Sequence, residues 1–376
     1  VSVEAALQRA WRRTGLAAEA WLWPLSLAAG LYRLALAARG LAYRTGMRKA
    51  AHLPVPVISV GNLAVGGTGK TPLVIALAEA LAARDRRVGV LTRGYKGGHE
   101  GKGALLVSDG DALHADPATA GDEAVFLARR LKGVPVAVGT RRAEAGRLLL
   151  DACDLDLLLL DDGFQHWALA RDADVVLVDG ISPVGNRRLL PRGPLRERPS
   201  ALARADLVVA RFPDQASPPD LSAWTWAPVR AARTRVTGIL DPAGEAAPDA
   251  GTSLIGLPVL AVAGIARPER FRDTVAGLGA RVAAFAPYPD HAAYGSADAA
   301  RLAARAREAG AEAVVTTQKD AVKLAPLWPA DAVPLRVVAI HLELDDPSGA
   351  WVDDLLNTAL ARFAAREGVG ADIGPV

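Results

Sequence analysis

The chain has 376 residues, too many for one ordinary core and enough for about two domains. Its 51% apolar and 23% charged content excludes a disordered chain, and a single cysteine, Cys153, excludes an intramolecular disulfide and fits a buried thiol in a reducing compartment. A net charge of +3 without any DNA or RNA motif argues against a nucleic-acid partner, while a mildly basic chain still favours anionic lipid or phosphorylated ligands.

In chain order, the first feature is the uncharged run AWLWPLSLAAGLY, from Ala20 to Tyr32. It is shorter than the roughly 20 residues that span a bilayer, and no signal-peptide cleavage site follows it. Arg12, Arg13, Arg33, Arg39, Arg44, Arg48 and Lys49 flank or interrupt it, and Trp11, Trp21, Trp23, Tyr32 and Tyr43 add amphipathic rings. That combination describes a helix lying in a membrane surface. A helix buried against a globular body is the other reading.

After His52 the pattern becomes α/β. PVPVISVGN predicts a buried strand, and Thr71 to Ala83 a helix with Pro72 in its first turn. RRVGVLTRG, VPVAVG, DLDLLLLDDG, DADVVLVDG and ADLVVARF predict further strands, with helices over DEAVFLARRL and TRRAEAGRLLLDA. This alternation implies a parallel sheet covered on both faces. The stretch 213–257 reads as an extended connector, and a second α/β rhythm begins at Leu257. The expected division is 1–50, an N-terminal membrane-associated helical segment; 51–225, a P-loop domain; 226–256, an extended linker; 257–345, a smaller α/β domain; and 346–376, a C-terminal helix and tail.

Ala64-Val65-Gly66-Gly67-Thr68-Gly69-Lys70-Thr71 has P-loop spacing, between a strand and a helix. Glycines let backbone N–H groups turn in around phosphate oxygens at a helix N-terminus, where the dipole favours anions. In that reading Lys70 reaches the β- and γ-phosphates of ATP and Thr71 ligates magnesium. A plain glycine turn is the alternative.

Asp161 and Asp162 end an apolar strand, where a carboxylate can hold magnesium directly or through water; they can also simply cap a turn. Asp122 and Glu123 open a helix, where dipole stabilisation alone accounts for them. His291, in YPDH, is by itself an ordinary structural histidine, and the basic loop Gly185–Glu197 is either a solvated turn or a phosphate loop.

Taken in order, VISVGNLAVGGTGKTP, LTRGYKG, GDEAVFLARR, VAVGTRR, LLLLDDGFQH, GNRRLLPRGPLRE, YPDHAAY and VVTTQKDAVKL resemble the tetraacyldisaccharide 4′-kinase (lipid A 4′-kinase) family, from about Trp23 to about His341. The resemblance implies ATP-dependent phosphorylation of the 4′-hydroxyl of an acylated glucosamine disaccharide 1-phosphate. It also implies a larger P-loop domain and a smaller α/β domain joined by a two-stranded linker. The expected location is the cytoplasmic face of a Gram-negative inner membrane, with no protein partner inferred.

By the same resemblance the acid–base pair falls on Asp122 and His291, the phosphate-binding lysine on Lys70, and the metal-associated groups on Thr71, Asp161, Asp162 and Glu197. Three positions depart from the family pattern: Ala292 for a second His, Gln318 for Glu and Arg187 for Gly. The competing class is a P-loop GTPase or ATPase switch at the membrane. Against it, the guanine-reading Asn-Lys-x-Asp is absent, with Thr317-Gln318-Lys319-Asp320 only a partial match.

Overall fold

Leucine and β-branched runs dictate the architecture: the strands Val57–Asn62 and Leu157–Asp161 are buried at every position, as strands covered by helices on both faces must be. The structure is a computed structural model and describes residues 7, 10–11, 22–66, 69–212, 219–242, 244, 254–290, 292–346 and 348–368.

The described helices are α1 (Ser26–Arg44), α2 (Lys70–Ala82), α3 (Asp122–Arg130), α4 (Arg142–Ala152), α5 (Pro268–Gly277), α6 (Ser296–Glu308), α7 (Gln318–Leu324) and α8 (Ala350–Glu367), apart from single turns. The strands are β1 (Val57–Asn62), β2 (Val88–Thr92), β3 (Leu105–Ser108), β4 (Val136–Val138), β5 (Leu157–Asp161), β6 (Ala173–Asp179), β7 (Leu207–Phe212), β8 (Val229–Leu240), β9 (Pro258–Ala263), β10 (Arg281–Pro287), β11 (Ala313–Thr317) and β12 (Leu335–Leu344).

They form one sheet in the order β10-β9-β11-β12-β8-β7-β6-β1-β5-β2-β4-β3. Strands β1, β2 and β4–β7 run parallel in the first lobe, and β9–β12 run parallel in the second. The stretch expected to be an extended connector carries β8. This strand pairs parallel with β7 through its first residues and antiparallel with β12 along most of its length, so it belongs to both lobes. Strand β3 was not expected; it is a four-residue antiparallel edge strand, too short to announce itself by alternation.

Helix α8 returns to the first lobe: Trp351, Val352, Leu355, Leu356 and Ala359 share a core with β1 and α2. Arg84–Asp353 and Arg366–Asp172 ion pairs fasten it. Gln318, the departure from Glu, accepts a hydrogen bond from Ile340 N at 3.1 Å, beside a register shift in β12. A neutral amide suits that backbone-satisfying place, so the residue needs no charge there.

Helix α1 has two contrasting faces. Inward, the Tyr32 hydroxyl donates to the Arg196 carbonyl at 2.9 Å, Arg39 donates to the Gln165 carbonyl and lies over the Trp167 ring, and Tyr43 meets Trp167 edge-on. Gly40 faces the same ring, and a Cβ there would lie 3.3 Å from the Trp167 indole. Outward, Leu27, Leu31, Leu34 and Leu41 follow helical spacing and are all more than half exposed.

Candidate active site

Strand register brings the first-lobe groups together. β5 pairs with β1 so that Asp161 sits beside Val60, just before the glycine loop leaves β1. On its other side β2 aligns Leu91 with Leu160, which delivers the Thr92 hydroxyl to Asp161 Oδ2 at 2.9 Å. The loop after β1 and the turn after β5 lie at the carboxyl ends of parallel strands, next to the point where strand order reverses around β1. The turn crosses β1 closely: a Cβ on Gly61 would lie 2.4 Å from the Phe164 Cβ, so only glycine fits. Asp162 holds a left-handed φ of 52°, a conformation costly for a residue with a side chain and found disproportionately at functional sites.

Lys70 opens α2, and its Nζ lies 3.4 Å from Asp162 Oδ1. Arg196 Nη1 contacts the same carboxylate at 2.7 and 2.9 Å. Burial opposes ionisation of Asp162, but Lys70 and Arg196 outweigh it and hold the carboxyl below its usual range. Asp161 differs: burial, reinforced by the Glu123 and Asp162 charges, pushes it up to about 6 against the pull of Lys70 and Thr92. Among the described residues its Oδ1 is buried without a hydrogen-bond partner. An orphaned, reluctantly ionised carboxylate oxygen within the field of Lys70 is a fitting place for a divalent cation. Among the described residues no three His, Cys, Asp or Glu side chains converge as a metal cage. Magnesium does not need one, because it commonly takes one or two carboxylates together with substrate phosphates.

Gly66 and Gly69 both have positive φ, as a phosphate-cradling loop requires; Gly67 and Thr68 lie outside the described residues. Glu197 is buried, but Arg204 grips both its oxygens, at 2.9 and 3.1 Å, while stacking on Phe164 and Trp167. The structure therefore unites Lys70, Asp161 and Asp162, and occupies Glu197 with a guanidinium.

Asp122 opens α3, with Glu123 beside it in the first turn. Each meets a lysine from the second lobe: Lys323 Nζ lies 2.9 Å from Asp122 Oδ2, and Lys319 Nζ 3.2 Å from Glu123 Oε1. The YPDH loop is drawn to the same place, since Asp290 Oδ1 lies 3.2 Å from Lys319 and the Ala292 carbonyl accepts from Lys323 at 2.6 Å. His291 itself lies outside the described residues.

Several groups at the site escaped sequence reasoning. Arg196 adjoins Glu197 in sequence, and only the fold shows that it, rather than Glu197, faces Asp162. Arg142 is 4% exposed; burial lowers its guanidinium to about 10, against the opposing pull of Asp161 and Asp162. Arg211 lies against the loop, where a Cβ on Gly69 would come 2.6 Å from its Nη1. In an arginine-rich chain, residue type alone singles out none of these. The i, i+4 spacing of Lys319 and Lys323 was the one readable signal.

The family model described as Tetraacyldisaccharide-1-P 4'-kinase matches residues 18–358. A tetraacyldisaccharide 4'-kinase of Anaeromyxobacter dehalogenans (strain 2CP-C) is 46% identical over 347 residues, covering 90% of this chain and 89% of its own. That of Geobacter sulfurreducens is 43% identical over 324 residues, covering 86% and 90%. Among solved structures, the "apo" form of LpxK from Aquifex aeolicus in complex with ATP is 30% identical, with a TM-score of 0.74 over 90% of this chain and 99% of that one. An uninterrupted match through both lobes, with the P-loop and strand-end acids in one corner, has a single meaning: the chain belongs to the tetraacyldisaccharide-1-P 4'-kinase family.

Proposed function

We propose that this chain transfers the γ-phosphoryl group of ATP to the 4′-hydroxyl of a tetraacyldisaccharide 1-phosphate, a lipid A precursor. The observation that carries the reading is the junction of Lys70 with Asp162 beside the unpartnered Oδ1 of Asp161, in a chain matched to this kinase family over residues 18–358.

In the reaction the 4′-oxygen bonds to the γ-phosphorus, the bond from that phosphorus to the β,γ-bridging oxygen breaks, ADP leaves, and the hydroxyl proton passes to a base. Our assignment of that base is Asp122, working with His291. It is supported by Asp122's place at the start of α3, where the helix dipole favours a carboxylate, and by the approach of Asp290 and Ala292 from the second lobe. The Ala64–Thr71 loop would grip the phosphates, with Lys70 placed to meet the charge that develops on them. Thr71 and Asp161, with Asp162 behind them, would hold magnesium, which supplies further neutralisation of phosphate charge. Glu197 is left out of that set, because Arg204 engages both of its oxygens.

The membrane is the second part of the proposal. Moving a leucine side chain out of water is worth about 1.5–3 kcal/mol, so the stripe Leu27, Leu31, Leu34 and Leu41 is sufficient for stable surface association. By length and composition Trp23–Arg44 can also cross a bilayer. Docking of its inner face on Gln165, Trp167 and Arg196 favours a helix lying along the membrane surface instead. The use of ATP, a cytoplasmic nucleotide, supports an active site on the cytoplasmic side, which for a lipid A precursor is that face of the inner membrane.

Label transfer from γ-labelled ATP to the disaccharide lipid tests the function. Labelled lipid product is the expected result. Release of free phosphate with no lipid product would replace the kinase with an ATPase switch.

A further inference from the structure

Helix α7 carries Lys319 and Lys323 four residues apart, hence on one face, and both reach across to the first lobe. Between them Asp320 is fully buried. It accepts from Gly264 N at 2.9 Å, from the Thr317 hydroxyl at 2.7 Å and from the Tyr294 hydroxyl at 3.1 Å. These bonds fix the helix to its own lobe, so the positions of its lysines follow the lobe as a whole. Lys323 is only 10% exposed in its side chain. Its ammonium is satisfied by Asp122 Oδ2 at 2.9 Å, by the Ala292 carbonyl at 2.6 Å and by the Tyr294 ring, 5.4 Å away. A buried ammonium costs several kcal/mol unless paired, so this environment is specific to a cation.

We propose that Lys323 is a positioning residue for phosphoryl transfer: it is the second lobe's grip on the Asp122 carboxylate, and it fixes that base when the lobes are together. The proposal rests on the assignment of Asp122 as the base. Lys323 engages one carboxylate oxygen, and a carboxylate has a second with which to take the hydroxyl proton. The same ammonium holds the Ala292 carbonyl, so base and YPDH loop are set by one group. A mere strut is a poorer account, because Lys319–Glu123 and Arg267–Asp179 also join the lobes without touching Asp122.

The test uses the full-length chain carrying Lys323→Met or Lys323→Arg, assayed for lipid product, with each substitution repeated in an Asp122→Asn background. Lys323→Met is expected to lower kcat about 100-fold, within the range spanned by general-base contributions, while the KM for ATP stays within about threefold. Lys323→Arg, which keeps the cation, is expected to recover at least about tenfold of that loss. In the Asp122→Asn background Lys323→Met should add little, since the two act as one unit. Wild-type kcat in Lys323→Met overturns the proposal, as does a full multiplicative loss in the double variant. A fall in kcat matched by equal losses of ATP affinity and Tm also overturns it, leaving a structural strut. Full activity of Asp122→Asn by itself would instead reject Asp122 as the base, a separate result.

Discussion

In the first lobe the groups around the glycine loop and the turn after β5 hold one another: Lys70 and Arg196 grip Asp162, Thr92 donates to Asp161, and Arg142 donates to the Gly139 carbonyl. In the second lobe the lysines of α7 turn outward and are partnered by Asp122 and Glu123 of the first. Arg267, just before α5, does the same with Asp179. On the proposed function, one lobe therefore carries a phosphate-binding corner whose groups hold one another, and the other contributes to the acceptor side through contacts across the junction. That division would suit a kinase whose competing reaction is hydrolysis, since a base held across the junction of the lobes would be ordered where water can be excluded.

If the first-lobe corner is self-contained, its loss should be the most severe. Lys70→Ala is expected to reduce lipid phosphorylation by about 10²–10³-fold or more, with circular dichroism unchanged, because its partner Asp162 is still held by Arg196. Turnover near wild type would remove Lys70 from the mechanism. Asp122→Asn sharpens the contrast from the other side: a loss of about 10²–10⁴-fold in kcat with ATP affinity nearly intact, measured by titration of a fluorescent nucleotide. An ATP affinity that fell in step with kcat would place Asp122 with the phosphate corner and erase the division.

Between the lobes and the bilayer the same logic applies on a smaller scale. Replacing Leu27, Leu31 and Leu34 by serine should release the protein from anionic phospholipid vesicles in a sedimentation assay, while phosphorylation of a detergent-dispersed substrate changes less than about threefold. The inner face of α1 is kept in that variant, so the contacts of Tyr32 with the Arg196 carbonyl and of Arg39 with the Gln165 carbonyl survive. Undiminished vesicle binding would move the membrane contact elsewhere.

What the sequence disclosed follows the same division. The P-loop and DDG turn are contiguous, and their conformations are set locally by glycine and strand ends, so Lys70, Asp161 and Asp162 were readable and the register of β1 with β5 only joined them. The continuous sheet was not readable, because β8 gains its partners from β7 and from β12, a hundred residues later in the chain. Nor was the Lys323–Asp122 contact, since nothing local in VVTTQKDAVKL records which helix it will face. The resemblance pointed to Glu197 as a metal-associated acid, but its choice of Arg204 as partner depends on the Phe164 and Trp167 rings beneath that guanidinium.

The smallest expected effect concerns His166, in the turn after Asp162. Burial, with Arg142, Arg171, Arg39 and Arg93 around it, lowers its imidazole to about 4, whereas an unfolded histidine titrates near about 6.5. The unfolded chain therefore takes up this proton at higher pH than the folded one. The stability that His166 contributes is complete above about 6.5 and is lost as the pH falls through about 4. Asp161 acts in the opposite sense: its carboxyl is raised to about 6, so its contribution is present at low pH and is lost as the pH rises through that value. Wild-type protein alone would show the two partly cancelling. His166→Gln removes only the first, so Tm measured from pH 7 down to pH 4 should fall less steeply in the variant than in the parent, while the two curves run parallel above pH 7. Parallel curves over the whole range would show that neither burial nor the arginines around the turn disfavour the imidazolium.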